Sequence, residues 1–301
     1  MAVKKSKSKS AHESGRPARR SDGRMDLRDD ASAKVVFPHL ALVKAPSGAF
    51  TPPPLEGPVR VATYNVHRWS GVNGRTPDPA RAGFVISEIG ADVIALQEVL
   101  RPFSGPCPLE ALAEALGLHV VFAVTRRHKR GQLGNAILSR WPIASVSMFD
   151  LSYTRMEKRL ALSTLFEYDG GTLGVVATHL ALSDRTRARQ VNFLLEHPSL
   201  RSGPVVLLGD MNAWRNCKAT RALEDALDSH HNQRWPASFP APRPVLALDR
   251  MYSHGVDLTR VEAFTSPAAR RASDHLPVVA TLDLPKRAEP ATIDQIPATT
   301  G

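Results

Sequence analysis

Cysteine is almost missing from this chain of 301 residues, where Cys107 and Cys217 stand alone and outside any Cys-x-x-Cys or Cys/His cluster. Two isolated thiols exclude a disulfide framework and a zinc site, and they predict a reducing compartment. Long apolar runs are missing as well. No segment approaches the length of a membrane span, and the basic N-terminus lacks the apolar core of a signal peptide. The sequence therefore predicts a soluble, cytoplasmic protein. It shows no internal repeat.

Basicity is present but unevenly placed. The formal charge is +10, yet residues 1–24 hold eight Lys/Arg against two Asp/Glu and so carry +6 of it. A body of only +4 is weak evidence for a nucleic-acid-binding surface, although the tail itself suits nucleic acid or an anionic membrane. Residues 1–56 are expected to be a disordered basic tail ending in the stiff linker Pro52-Pro-Pro54, with the apolar piece Val35–Val43 as a candidate for packing on the body. A catalytic domain is expected over residues 57–285 and a flexible Pro- and Thr-rich tail over 286–301. Hydrophobic residues make up 43%, enough for a core of that size.

Within that span, Gly203-Pro-Val-Val-Leu-Leu-Gly-Asp-Met-Asn-Ala-Trp214 organises the rest. Its apolar run predicts a strand buried on both faces. Asp210 and Asn212, two residues apart, leave an extended backbone on one side and deliver a carboxylate and a carboxamide to the rim of a sheet. Gly-Asp-x-Asn is also good turn chemistry. Alternation predicts further strands at 59–64, 92–97, 118–124, 134–139, 143–149, 160–167, 172–179, 246–252, 259–264 and 277–283. Helices are expected from Asp78 to Ile89, stopped by Gly90, and over 108–116, 183–196 and 217–227. Residues 126–130, Arg-Arg-His-Lys-Arg, read as a basic loop. Strands outnumber helices and many are joined by hairpin-length turns. This predicts an α/β (α+β) fold, with two packed, mostly antiparallel sheets flanked by helices.

Short polar groups recur at the ends of these strands: Asn65, Glu98, His179, Asp249 and the Ser273-Asp274-His275 run. Strand ends on one rim are where distant segments assemble a site. Glu98, Asp210, Asp274 and the amide oxygens of Asn65 and Asn212 are hard donors suited to Mg²⁺ or Mn²⁺. Two histidines near carboxylates add groups able to polarise or protonate a phosphoryl oxygen.

In order, Thr63-Tyr-Asn65, Leu96-Gln-Glu98, Gly134-Asn-Ala-Ile-Leu-Ser-Arg140, Thr178-His-Leu180, Gly209-Asp-Met-Asn212, Leu248-Asp-Arg250 and Ser273-Asp-His275 resemble the endonuclease/exonuclease/phosphatase superfamily. The resemblance spans about residues 59–284. It implies a four-layer sandwich, a site at one edge of the sheets, and metal-dependent hydrolysis of phosphate esters. By position, Glu98 is implied as principal metal ligand with Asn65 and Asp274 nearby. Asp210 is implied to orient or deprotonate the attacking water, and Asn212 to hold it. His275 is implied to contact the scissile phosphate, oriented by Asp249, and His179 to stabilise the pentacoordinate phosphorus or assist the leaving group. Arg250 departs from the aromatic or His common after that aspartate in deoxyribonuclease-type members. His179 resembles the deoxyribonuclease and sphingomyelinase branches rather than the abasic-site endonucleases.

Arg159, Arg270 and Arg271 are candidate substrate contacts. His67 and Gln97 read as structural, and Trp69 and Trp214 as packing residues that flank the site. The expected substrate is a phosphodiester, with nucleic acid and a phospholipid or small phosphoester both open. A lipid substrate predicts an apolar site rim. The competing reading is an inactive scaffold on the same fold, tethered by its tail. The protein is expected to be a monomer.

Overall fold

The computed structural model describes residues 37–48, 51–52, 54–55, 57–154, 157–227 and 234–284. Expectations for the first 36 residues and for those after 284 lie outside the described residues. The larger sheet holds β1 (His39–Lys44), β2 (Pro58–Asn65), β3 (Val93–Pro102), β4 (His119–His128), β5 (Gly131–Ser139), β11 (Asp257–Ala263) and β12 (Val278–Asp283). Their order is β1-β4-β5-β3-β2-β12-β11. The smaller sheet holds β6 (Ser145–Asp150), β7 (Leu160–Tyr168), β8 (Gly171–His179), β9 (Val205–Asp210) and β10 (Asp249–His254), in the order β10-β9-β8-β7-β6. β2 with β3 and β8 with β9 pair in parallel, and the remaining pairings are antiparallel.

Alternation along each strand builds the layers. In β9, Val206 and Leu208 join the core between the sheets, while Val205 and Leu207 face the outside. In β2, Val59 and Val61 face inward, and Ala62 and Tyr64 face outward. The outer face of the larger sheet is covered by α1 (Pro79–Ile89), α2 (Pro108–Ala115) and α5 (Ala269–Ala272). The outer face of the smaller sheet is covered by α3 (Asp184–Glu196) and α4 (Lys218–Ala226). Four layers result, as the sequence predicts. α1 begins where it should, with the Asp78 side chain accepting from Arg81 N and Gly90 closing it at φ 58°.

Three expectations need correction. His39–Lys44 is not part of a tail: it forms β1, an edge strand antiparallel to β4, so the structured region begins well before residue 57. The apolar piece offered for packing on the body does pack there, through Phe37, Ala41 and Leu42, but that it is a strand is not legible because it is short and half-buried and only its β4 partner makes it one. β3 does not end at Glu98 but continues to Pro102, with a bulge against β5 between Leu96 and Val99. Arg126, Arg127 and His128 belong to β4 rather than to a loop.

Candidate active site

One transverse row of the smaller sheet brings together three of the candidate residues. Register pairs His179 of β8 with Asp210 of β9, and Asp210 with Asp249 of β10. Directly paired residues share a face, and in each strand the parity is that of the inward-facing positions Ala177, Leu208 and Met251. All three side chains therefore enter the space between the sheets, at its end. Gly209 permits the close pairing. It sits at φ 152°, and a Cβ there would meet Thr178 O at 1.9 Å.

The larger sheet supplies the opposing wall. Asn65, at the end of β2, donates from Nδ2 to Asp210 Oδ2 at 3.1 Å, joining the rims of the two sheets. His179 Nε2 lies 3.4 Å and His275 Nε2 3.7 Å from the same oxygen. Asn212 N donates to Asp210 Oδ1 at 2.9 Å, while Asn212 Nδ2 donates to Leu180 O at 2.9 Å. Asn212 itself holds φ 50°, a left-handed turn that folds its amide back over the aspartate.

Behind His275 stands a relay. Its Nδ1 donates to Asp249 Oδ2 at 2.7 Å, and the same carboxylate oxygen accepts from Ser238 Oγ at 2.6 Å. All three residues are buried. Ser273 Oγ donates to Asn65 O at 2.6 Å and accepts from His275 N at 3.3 Å, so one hydroxyl couples the end of β2 to the His275 segment.

Burial pushes the Asp210 carboxyl up, opposed by His275 and by the hydrogen bonds from Asn212 and Asn65. Burial also works against a charged His275, but the carboxylates of Asp249 and Asp210 overcome it and push that imidazole up. His179 goes the other way. Burial, followed by the nearby charges of Arg159, His275 and Arg126, holds it well below the usual histidine range. The two imidazoles are thus shifted in opposite directions by their surroundings.

Glu98 lies on the bulge of β3 at φ 52°. Its buried Oε2 has no hydrogen bond but forms an ion pair with Arg68 NH1 at 3.3 Å. Asp274 Oδ1 lies 3.3 Å from His67 Nδ1, and Asn65 Oδ1 accepts from His67 N. A buried carboxylate oxygen paired with one arginine and making no hydrogen bond, with the Asp274 carboxylate and the Asn65 amide oxygen both tied to the adjoining His67, is a donor set that fits a hard divalent cation. Asp210, Asp249 and His275 also bring ligand atoms within 4.8 Å of one another and could hold an ion. The tight Asp249–His275 hydrogen bond already commits those groups to each other, so Glu98 is the better anchor.

The loop that carries Asn212 is clamped by two buried arginines. Arg187 NH1 donates to the carbonyls of Ala181, Leu182 and Asn212, and its NH2 to Asp184. Arg250 NH2 donates to Ala213 O at 2.7 Å, so the residue that departs from the family pattern works as a brace. Among the proposed substrate contacts, Arg159 donates to Glu157 and keeps its Nε buried without a partner. Arg270 donates instead to the carbonyls of Ala241 and Pro242, and Arg271 is exposed on α5. Trp69 is buried and donates to Leu100 O, as a packing residue does. Trp214 is 58% exposed, so the packing reading fails for it. The sequence reading missed Ser238, Arg187 and Arg68, none of which belongs to the motifs quoted for the resemblance.

A profile described as the endonuclease/exonuclease/phosphatase family matches residues 62–275, which include every site residue named above from Asn65 to His275. The chain belongs to that family. Members of the endonuclease/exonuclease/phosphatase family are generally hydrolases of phosphate esters and generally depend on divalent metals. The Escherichia coli K12 protein YbhP is 29% identical over 245 residues, covering 75% of this chain and 96% of YbhP. An endonuclease/exonuclease/phosphatase from Beutenbergia cavernae matches with TM-score 0.60 and 25% identity, covering 76% of this chain and 72% of that one. TDP2 of D. rerio, solved with a single-strand DNA product, shares the fold at TM-score 0.58 and 15% identity, over 75% of this chain and 99% of its own.

Proposed function

We propose that this protein is a Mg²⁺- or Mn²⁺-dependent phosphodiesterase in which Asp210 activates the attacking water. The observation that carries the reading is convergence on one buried carboxylate oxygen, with Asn65, His179 and His275 each placing a nitrogen 3.1 to 3.7 Å from Asp210 Oδ2. Asp210 is thereby fixed in orientation and able to accept a proton from water. Asn212 spends its Nδ2 on Leu180 O, which leaves its Oδ1 to hold that water. Asp249 fixes the tautomer of His275 by accepting from Nδ1, so Nε2–H is directed at a phosphoryl oxygen. His179, on the neighbouring strand, stabilises the charge that develops on phosphorus oxygens. A divalent ion held by Glu98, with Asn65 and Asp274 nearby, supplies Lewis-acid polarisation when bound.

The scaffold reading predicts the loss of at least one of Glu98, Asp210, Asp274 or His275, and all four are present. The deciding experiment is hydrolysis of a chromogenic phosphodiester with Mg²⁺ or Mn²⁺, with and without EDTA, by the native protein and by Asp210→Asn. Metal-dependent turnover that Asp210→Asn abolishes is the expected result. Undiminished turnover after exhaustive chelation removes the metal, and wild-type rates for Asp210→Asn remove the base.

A further inference from the structure

Beside the catalytic loop, the starts of α3 and α4 enclose a cleft of about 650 Å³. Its cations are Arg185, Arg189, Arg215, Lys218 and Arg221. All five residues are exposed. The single carboxylate in the cleft, Asp184, is already shared between Arg187 and Arg215. No carboxylate among the described residues forms an ion pair with Arg185, Arg189, Lys218 or Arg221. This is a concentration of uncompensated positive charge that the catalytic group does not use.

Apolar side chains stand around the same cleft. Leu182 is 61% and Trp214 58% exposed, and both lie two residues from groups of the site, Leu180 and Asn212. Arg187 NH1 bonds the carbonyls of both Leu182 and Asn212, which places the two segments side by side. Phe193 continues the Arg185–Arg189 stripe of α3 at four-residue spacing and is 40% exposed. Tyr153, 45% exposed, donates its hydroxyl to Arg189 O. Four of the nine exposed large hydrophobics among the described residues thus belong to α3, to the segments that flank its start, or to the Tyr153 that bonds it.

We propose that this α3–α4 face docks on anionic phospholipid bilayers and presents a phospholipid phosphodiester to the Asp210 site. Cations level with lipid headgroups, interleaved with Trp, Tyr, Leu and Phe that enter the acyl boundary, are the chemistry of interfacial binding. A nucleic-acid strand accounts for the arginines, and its bases for Trp214. It gives no reason for exposing Leu182 as fully. The choice of substrate rests on the phosphodiesterase reading, whereas the docking does not.

The test uses the full chain and vesicles of phosphatidylcholine with or without phosphatidylglycerol. The variant Arg185→Glu/Arg189→Glu alters exposed positions outside the catalytic group, and acidic residues suit the first turns of α3. It should hydrolyse a small soluble phosphodiester normally, yet partition onto phosphatidylglycerol vesicles on the order of a hundredfold more weakly. Vesicles with brominated acyl chains should quench native fluorescence, and Trp214→Phe should lose most of that quenching. Asp210→Asn protein should still bind, which separates failure of docking from failure of catalysis. Unchanged partitioning of the charge-reversed variant, or quenching that survives Trp214→Phe, overturns the proposal. So does a variant that keeps vesicle binding but loses affinity for a single-stranded oligonucleotide, which would make this a nucleic-acid surface.

Discussion

Asp249, His275 and Ser238 form a chain of two short hydrogen bonds that share one carboxylate oxygen. Because the imidazole depends on that carboxylate for its tautomer, the pair should act as a unit. Asp249→Asn and His275→Ala should each lower kcat by about 10²-fold or more, the scale of a general acid–base group. The double variant should be barely worse than the worse single one. Measuring kcat for the three proteins on one phosphodiester, with folding checked by circular dichroism, decides the matter: fully additive losses would separate the two residues. At Glu98 the expected effect is different in kind. Glu98→Ala removes the buried carboxylate oxygen that only Arg68 faces, so it should raise the Mg²⁺ concentration needed for half-maximal rate and weaken Mn²⁺ binding measured by calorimetry without substrate. Equal metal affinity in the variant would move the cation elsewhere.

At the scale of elements, the site depends on how closely β8 and β9 approach and on how firmly the loop after β9 is held. Gly209→Ala would force a Cβ to 1.9 Å from Thr178 O at a backbone φ of 152°. It should therefore destabilise by roughly 3 kcal/mol or more, read from urea denaturation, as overpacking and backbone strain combine. A loss under about 1 kcal/mol would mean that β8 and β9 separate easily. Arg187 sets the second requirement. Arg187→Ala would deprive the carbonyls of Ala181, Leu182 and Asn212 of one buried donor. Both stability and kcat should fall, while Arg215→Ala, at an exposed position, should leave both nearly unchanged. Equal behaviour of the two variants would show that Arg187 is not the clamp.

For the whole molecule, the consequence of β1 is a boundary. Deleting residues 1–36 should leave turnover on a small soluble phosphodiester within a few fold, because every proposed site residue lies later in the chain. Extending the deletion through residue 48 removes β1 and bares the β4 edge that it pairs with. That longer deletion should lower the melting temperature and promote aggregation. Thermal denaturation of the two truncated proteins checks this, and equal melting temperatures would show that β1 adds nothing to the sheet. No helix among the described residues is long and apolar enough to cross a membrane.

Periodicity made the framework legible. β2, β9 and α1 lie close to where alternation, a buried apolar run and an Asp-Pro opening place them, because local pattern and tertiary burial agree there. The polar residues that end those strands were legible too, since a carboxylate after a buried run needs a partner. Contacts between distant segments were not. Nothing in the order of residues says that Asn65 reaches Asp210, that Ser238 backs Asp249, or that Arg187 holds Asn212, because each meeting is created by sheet register and by packing of one layer on another. The same holds for the basic cleft. Arg185, Arg189, Arg215 and Lys218 are ordinary charges along the chain, and only the packing of α3 beside α4 makes them one surface.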